Sequence, residues 1–166
     1  MTLPYRIIGL LLLSVVVSCN VGFKGISIPP DVKTFSVETF SLANNEAPVD
    51  LNLNMTEELR RKIRQESRLS ENNENPDVIF SGRISNYYIN YVAPDENNTT
   101  SLNRLTISIK ITYENTLNEE DNWEKNYSDF EDFDGNANFE NLRDGLIESI
   151  TEDILERIFN DAFTDW

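Results

Sequence analysis

Histidine is absent from this chain and cysteine occurs once, at Cys19. Without histidine, the usual general base near neutral pH and the commonest metal ligand are missing. With one cysteine no disulfide can close within the chain, and Ser-His or Cys-His nucleophile pairs are ruled out. Stability must therefore come from a packed core. Glycine is scarce, six residues in 166, and nowhere forms a phosphate-cradling loop. Basic side chains are few, 14 against 29 acidic, for a net charge of −15. A body of that charge repels the phosphates that dominate nucleic-acid affinity, which argues against nucleic acid as a partner. Adjacent carboxylates (Glu57-Glu58, Glu119-Glu120-Asp121, Glu131-Asp132, Glu152-Asp153) arise by chance among so many acids and read as solvated decoration. The run Asp129 to Asp134 offers oxygens to a cation, but Phe130 and Phe133 interrupt it at strand spacing. The expectation is a protein that is no enzyme and carries no metal and no cofactor.

Long apolar runs are also few. The one at Ile7 to Val17 follows Arg6 and precedes the small residue Ser18. It falls short of the roughly 20 residues a spanning helix needs and has the layout of a secretory signal peptide. Val16-Val17-Ser18-Cys19 resembles a bacterial lipobox, which makes Cys19 the acylated first residue of the mature chain and its membrane anchor. The expected organisation is a lipoprotein signal peptide over 1–18, a lipidated tether over 19–31, and a single α/β globular domain over 32–166. Loss of Arg6 leaves 13 basic against 29 acidic side chains, a net charge of −16. A mature chain of 148 residues can bury about 70% of its surface, enough for a real core.

Along the domain, Phe35, Val37 and Thr39 alternate with polar neighbours and predict a strand over 33–40. A polar loop over 41–50 follows. Met55, Leu59 and Ile63 recur every four residues and predict a helix over 53–69, with Asn54 as its cap and Glu57 completing a capping box. Val78, Phe80, Gly82 and Ile84 share one strand face. The apolar set then shifts parity to Tyr87, Ile89 and Tyr91, so a β-bulge is placed near Ser85-Asn86. Leu105, Ile107, Ile109, Ile111 and Tyr113 alternate with Arg104, Thr106, Ser108, Lys110, Thr112 and Glu114, a strand with one dry and one wet face. Trp123, Lys125 and Tyr127 begin a fourth strand that runs to Phe130 or Phe133. A long helix from Phe139 to Phe163, capped by Asn138, carries Leu142, Leu146, Ile150, Ile154, Ile158 and Ala162 down one side. The order β-α-β-β-β-α reads as an α+β fold: a two-layer α/β sandwich with about four strands, antiparallel-rich, and both helices on one face.

Against the prevailing charge, Arg60, Arg61, Lys62, Arg64 and Arg68 make the first helix locally basic. That is either a solvated face in a very acidic protein or a docking patch for phosphate or an acidic surface. Arg83, Arg104 and Lys110 are further isolated cations, the last two on the wet strand face.

Several of these segments together resemble a known family. The lipobox Cys19, "VKTFSVETF", the basic helix ending in "SRLS", Gly82-Arg83-Ile84-Ser85, "LNRLTISIKITYENT", "YSDFEDFD" and the terminal "IFNDAFTDW" are similar to the LptE-type lipopolysaccharide-assembly lipoproteins of Bacteroidetes. The likeness covers essentially the whole mature chain. It departs after Leu69, where the family would have a short extra strand and this chain has the polar run Ser70 to Asn75. The resemblance implies a lipoprotein of the outer membrane, facing the periplasm, that plugs and helps assemble the β-barrel LptD and assists lipopolysaccharide toward the cell surface. It makes Arg83, Arg104 and Lys110, with Arg60, Arg61 and Arg64, the candidate contacts for lipopolysaccharide or a partner. A freestanding periplasmic lipid-binding carrier is the alternative, and would need an apolar cavity between sheet and helices. A surface-exposed lipoprotein is disfavoured, because Asn20 to Gly25 lacks the acidic stretch such proteins carry after the lipidated cysteine.

Overall fold

The computed structural model describes residues 27–43, 46–93 and 101–164. Cys19, the signal segment and the tether up to residue 26 lie outside them, as does most of the loop predicted between Ala93 and Ser101. The elements in chain order are β1 (Thr34–Val37), β2 (Ser41–Leu42), α1 (Leu51–Glu66), β3 (Ser70–Glu71), β4 (Val78–Val92), β5 (Leu102–Asn115), a 3-10 turn (Glu119–Asp121), β6 (Trp123–Asp134) and α2 (Phe139–Phe163).

The strands form one mixed sheet in the order β3-β1-β4-β5-β6, with β2 pairing β4 beyond the end of β1. The long meander β4-β5-β6 is antiparallel throughout, while β1, β2 and β3 pair in parallel. The register of β4 on β5 slips between Ile84 and Asn86, which is the expected bulge. It keeps Val78, Phe80 and Ile84 on the same buried face as Tyr87. Both helices cover that face, so the architecture is the α+β class the sequence pattern implies.

One contiguous core joins the layers. Phe35, Phe80, Ile84 and the β5 set Leu105, Ile107, Ile109 and Ile111 are fully buried under Met55, Leu59 and Ile63 of α1 and Ile154 and Ile158 of α2. Each such side chain contributes about 1.5–3 kcal/mol on leaving water, which offsets the absent disulfide.

Four details differ from the sequence expectation. The first helix starts at Leu51 rather than Leu53 and ends at Glu66 rather than Leu69. Its N-cap is Asp50, with no side-chain cap bond, and not Asn54. Leu51 is buried, and drawing it into the core starts the helix one half-turn early; Asn54 instead donates its backbone N–H to the Asp50 carbonyl at 2.9 Å. At the other end the Ser67 hydroxyl donates to the Ile63 carbonyl at 2.6 Å and closes the last turn.

The sheet has six strands, not about four, because β2 and β3 arise in stretches read as polar loops. β3 forms where the family's extra strand seemed missing. Both are held through the backbone, as in the Ser70 N–H donating to the Lys33 carbonyl at 3.0 Å, so no apolar alternation was required. The N-terminal half of α2 is shallower than its stripe suggested: Leu142 is 39% exposed, and full burial begins at Ile150. Finally, Ile89 and Tyr91 occupy the dry face of β4 yet stay 40% and 62% exposed, because the strand outruns its helical cover.

Candidate functional site

The sheet face turned away from the helices carries a consistent chemistry. Cross-strand rows read Ser81, Thr112, Glu124; then Arg83, Lys110, Asn126; then Asn86, Ser108, Ser128; then Tyr88, Thr106, Phe130; then Asn90, Arg104, Asp132. Hydroxyls and amides dominate the middle, with the Ser108 and Ser128 hydroxyls 2.9 Å apart and the Ser85 hydroxyl donating to the Ser108 carbonyl at 3.3 Å.

Arg83 and Lys110 face each other directly across β4 and β5. Like charges at opposite positions destabilise a sheet. Lys110 is relieved by Glu124, 2.7 Å away on β6, but Arg83 is exposed and has no hydrogen-bond or ion-pair partner among the described residues. Arg104 is placed quite differently. Its guanidinium makes a fork to Asp132 at 2.7 and 2.8 Å and lies 3.6 Å over the Phe130 ring. The Arg104 fork holds the Asp132 carboxyl below the usual aspartate range, and Asp132 in turn raises the guanidinium. Arg104 is thus already matched by an acid on the same sheet face.

The basic residues of α1 already have partners within the domain. Arg60 donates to the Val37 carbonyl through Nε at 3.1 Å and to Glu57 through Nη1 at 2.6 Å. Arg64 pairs with Glu71 at 2.7 Å, Arg61 pairs with Glu58, and Lys62 pairs with Glu66 and Glu156. Burial lowers the Lys62 ammonium's affinity for its proton, but the hydrogen bonds it donates to Glu156 and Glu66 outweigh that and raise it. Arg60, Arg64 and Lys62 thereby clamp α1 to β1, β3 and α2. Of the six basic positions singled out by sequence, Arg83 alone is unpaired among the described residues, and Arg83, Lys110 and Arg104 are the ones that share a surface.

The acidic run on β6 is divided in the same way. Asp129 pairs with Arg157 at 2.7 Å, Asp132 with Arg104, and Asp134 accepts from the Asn136 N–H at 2.8 Å. Among the described residues no group of three or more potential ligands is close enough to hold a metal ion. No described helix is long and apolar enough to cross a membrane, which says nothing of β-barrels.

A second feature was missed by sequence reasoning. Five exposed large apolar side chains gather at the β4–β5 hairpin end: Tyr88, Ile89, Tyr91 and Phe130 on the strands, and Leu142 on the first turn of α2. They occupy both faces, since Tyr88 and Phe130 point outward and Ile89 and Tyr91 inward. The only sequence signal was negative: a strand of 15 residues outruns the helices available to cover it.

The described part of the expected tether, residues 27–31, lies at the opposite end. Ser27 donates its N–H to the carbonyl of Phe163, at the C-terminus of α2, at 2.7 Å. Arg68, just past α1, donates to the carbonyls of Pro29 and Ile28 at 2.6 and 3.2 Å. At about 3.3 Å per residue, β4 carries the hairpin roughly 50 Å from the end where the tether leaves.

The α+β fold has a likeness among solved bacterial structures. A PelC dodecamer from Paraburkholderia phytofirmans superimposes with a TM-score of 0.50 at 7% identity, over 81% of this chain and 89% of that one. Lipoprotein GNA1162 of Neisseria meningitidis gives 0.48 at 12%, over 77% and 99%, and uncharacterized lipoprotein B of Nitrosomonas europaea gives 0.44 at 14%, over 81% and 88%. These are likenesses of fold. No curated protein sequence matches the chain. The family model is more specific. Residues 32–162 match the lipopolysaccharide-assembly model LptE, and the chain belongs to that family. The family is one of non-enzymatic lipoproteins with a role in lipopolysaccharide assembly in the cell envelope.

Proposed function

We propose that this protein is the lipoprotein subunit of the outer-membrane lipopolysaccharide translocon, plugging and helping to assemble the β-barrel LptD and passing lipopolysaccharide toward the cell surface. On this reading residues 1–18 are removed as the signal peptide, Cys19 is acylated, residues 19–31 tether the chain, and the domain over 32–166 faces the periplasm. Its hairpin end enters the barrel lumen. The observation that carries the proposal is the hairpin end, where apolar side chains stand uncovered on both faces at the far pole from the tether. A lone soluble domain gains nothing from such a patch, whereas a plug needs one. The polar open sheet face suits the lining of a barrel, and Arg83 beside Lys110 suits a glycolipid phosphate within an otherwise acidic body.

The carrier alternative lacks support in the core. The space between sheet and helices is filled by fully buried Leu105, Ile107, Ile109, Met55 and Leu59. A photo-crosslinking amino acid placed at Tyr91, Tyr88 or Phe130 of the tagged full-length lipoprotein tests the reading. Crosslinks to a β-barrel protein in outer-membrane extracts are expected there and not from Glu119. Recovery of no barrel from any of the three positions would sink it. For the glycolipid contact, Arg83→Glu is expected to reduce lipopolysaccharide retained on the purified complex while leaving barrel recovery intact.

A further inference from the structure

Between α1 and α2 lies an open groove of about 690 Å³, within the range of ligand sites. Its walls are charged, with six carboxylates (Asp50, Glu58, Glu66, Asp144, Glu148 and Glu152) against three cations. Each cation is already matched: Arg61 to Glu58, Lys62 to Glu66 and Glu156, Arg143 to Glu140 and Asp144. The negative excess is concentrated on α2, where Glu148 and Glu152, one turn apart, have no hydrogen-bond or ion-pair partner among the described residues. Like charges at that spacing destabilise a helix slightly. The floor differs from ordinary acidic surface, because Leu51, Ile147 and Leu155 line it. There too sits Thr151, only 7% exposed, whose hydroxyl has no hydrogen-bond partner among the described residues. Leaving a buried hydroxyl without a partner is unfavourable.

We infer that this groove docks a basic amphipathic segment of a partner protein, with Lys or Arg side chains set beside Glu148 and Glu152 and apolar side chains laid on Ile147 and Leu155. Charge complementarity selects the sign of the occupant. The spacing of the acids selects its form, since they are too dispersed to chelate one cation among the described residues, whereas charges spread along a segment can meet them in turn. The apolar floor selects a peptide over a simple polyamine. The inference does not rest on the barrel reading: the groove belongs to the helical layer, on the opposite side from the open sheet face.

The test uses the mature chain as a soluble Cys19→Ser form and a fluorescein-labelled synthetic peptide with lysines at every fourth position and leucines between them, read by fluorescence anisotropy. Saturable binding is expected, weakened at least 10-fold by Glu148→Gln/Glu152→Gln. The pair Glu119→Gln/Glu120→Gln removes the same charge from the exposed 3-10 turn and is expected to leave binding unchanged. In methyl NMR spectra the peptide should shift Thr151 and Ile147. Equal weakening by both double variants, displacement by spermine at matched charge, absence of saturation, or shifts that bypass Thr151 and Ile147 would each overturn the inference.

Discussion

At the tether end of the β4–β5 ladder, Phe80 meets Tyr113 edge-on at 5.2 Å, Tyr113 stacks on Trp123 at 5.3 Å, and α2 lays Phe163 against Phe80 at 5.8 Å. At the hairpin end the same face of the same ladder carries Ile89 and Tyr91, both exposed. Backbone pairing continues unbroken from Val78↔Asn115 to Val92↔Leu102, with the one slip at the bulge. Secondary structure therefore does not distinguish the two ends; cover by a second layer does. The tether end is where the fold gains its stability, and the hairpin end is apolar surface held ready by a scaffold that does not depend on it.

That contrast sets the order of expected effects. Phe80→Ala removes a fully buried ring from the tether end and should cost about 3–5 kcal/mol in urea denaturation of the soluble Cys19→Ser chain. A loss below about 1 kcal/mol would mean that the aromatic cluster is not the stabilising centre. Gly82→Ala should follow at about 1–3 kcal/mol. A Cβ there would lie 2.8 Å from both Ile111 Cδ1 and Phe40 Cδ1, and the Phe40 and Ile111 side chains are themselves fully buried, so neither can swing aside.

How far the sequence could be read follows the same division. Leu105 to Tyr113 announced a half-buried strand because strict alternation over nine residues has one physical reading, and Asn138 announced the start of α2 because its side chain accepts the Glu140 N–H at 3.0 Å. The bulge was legible as a change of parity. Strands β2 and β3 were not, because backbone hydrogen bonds hold them and leave no trace in side-chain pattern. Nor was the pairing of the cations legible: Arg60, Arg61 and Arg64 look like a patch on one helix, but Glu71 arrives from β3 and Glu57 and Glu58 from the preceding turn. Arg104 and Arg83 look alike in sequence, and only the register shows Asp132 beside one and no acid beside the other.

A smaller effect, and one that depends on pH, is expected from Asp77 at the tether end. Its carboxylate accepts the Lys33 N–H, the Thr34 hydroxyl and the Thr34 N–H, each at 2.9 Å, which pins the start of β1 beside β4. The Lys33 N–H, followed by the Thr34 hydroxyl, holds the carboxyl below the ordinary aspartate value of 3.8. A depressed acid contributes its stability above its unfolded pKa and loses it as pH falls through the folded one. The stability gap between wild type and Asp77→Asn should therefore be full at about pH 6 and shrink below about pH 4. A gap independent of pH would assign the effect to shape rather than charge.

The smallest stability change is expected at the hairpin end, and there it is most informative. Tyr91 is 62% exposed, so Tyr91→Ser should shift unfolding by no more than about 0.5 kcal/mol. If the exposed side chains exist for a partner, the same substitution, combined with Phe130→Ser on the outer face, should sharply reduce the β-barrel protein recovered with tagged lipoprotein from detergent-solubilised outer membrane. Full recovery would move the docking surface away from the hairpin. A large loss of stability would instead show that the tip is packed in the free protein, and the contrast between the two ends would fail.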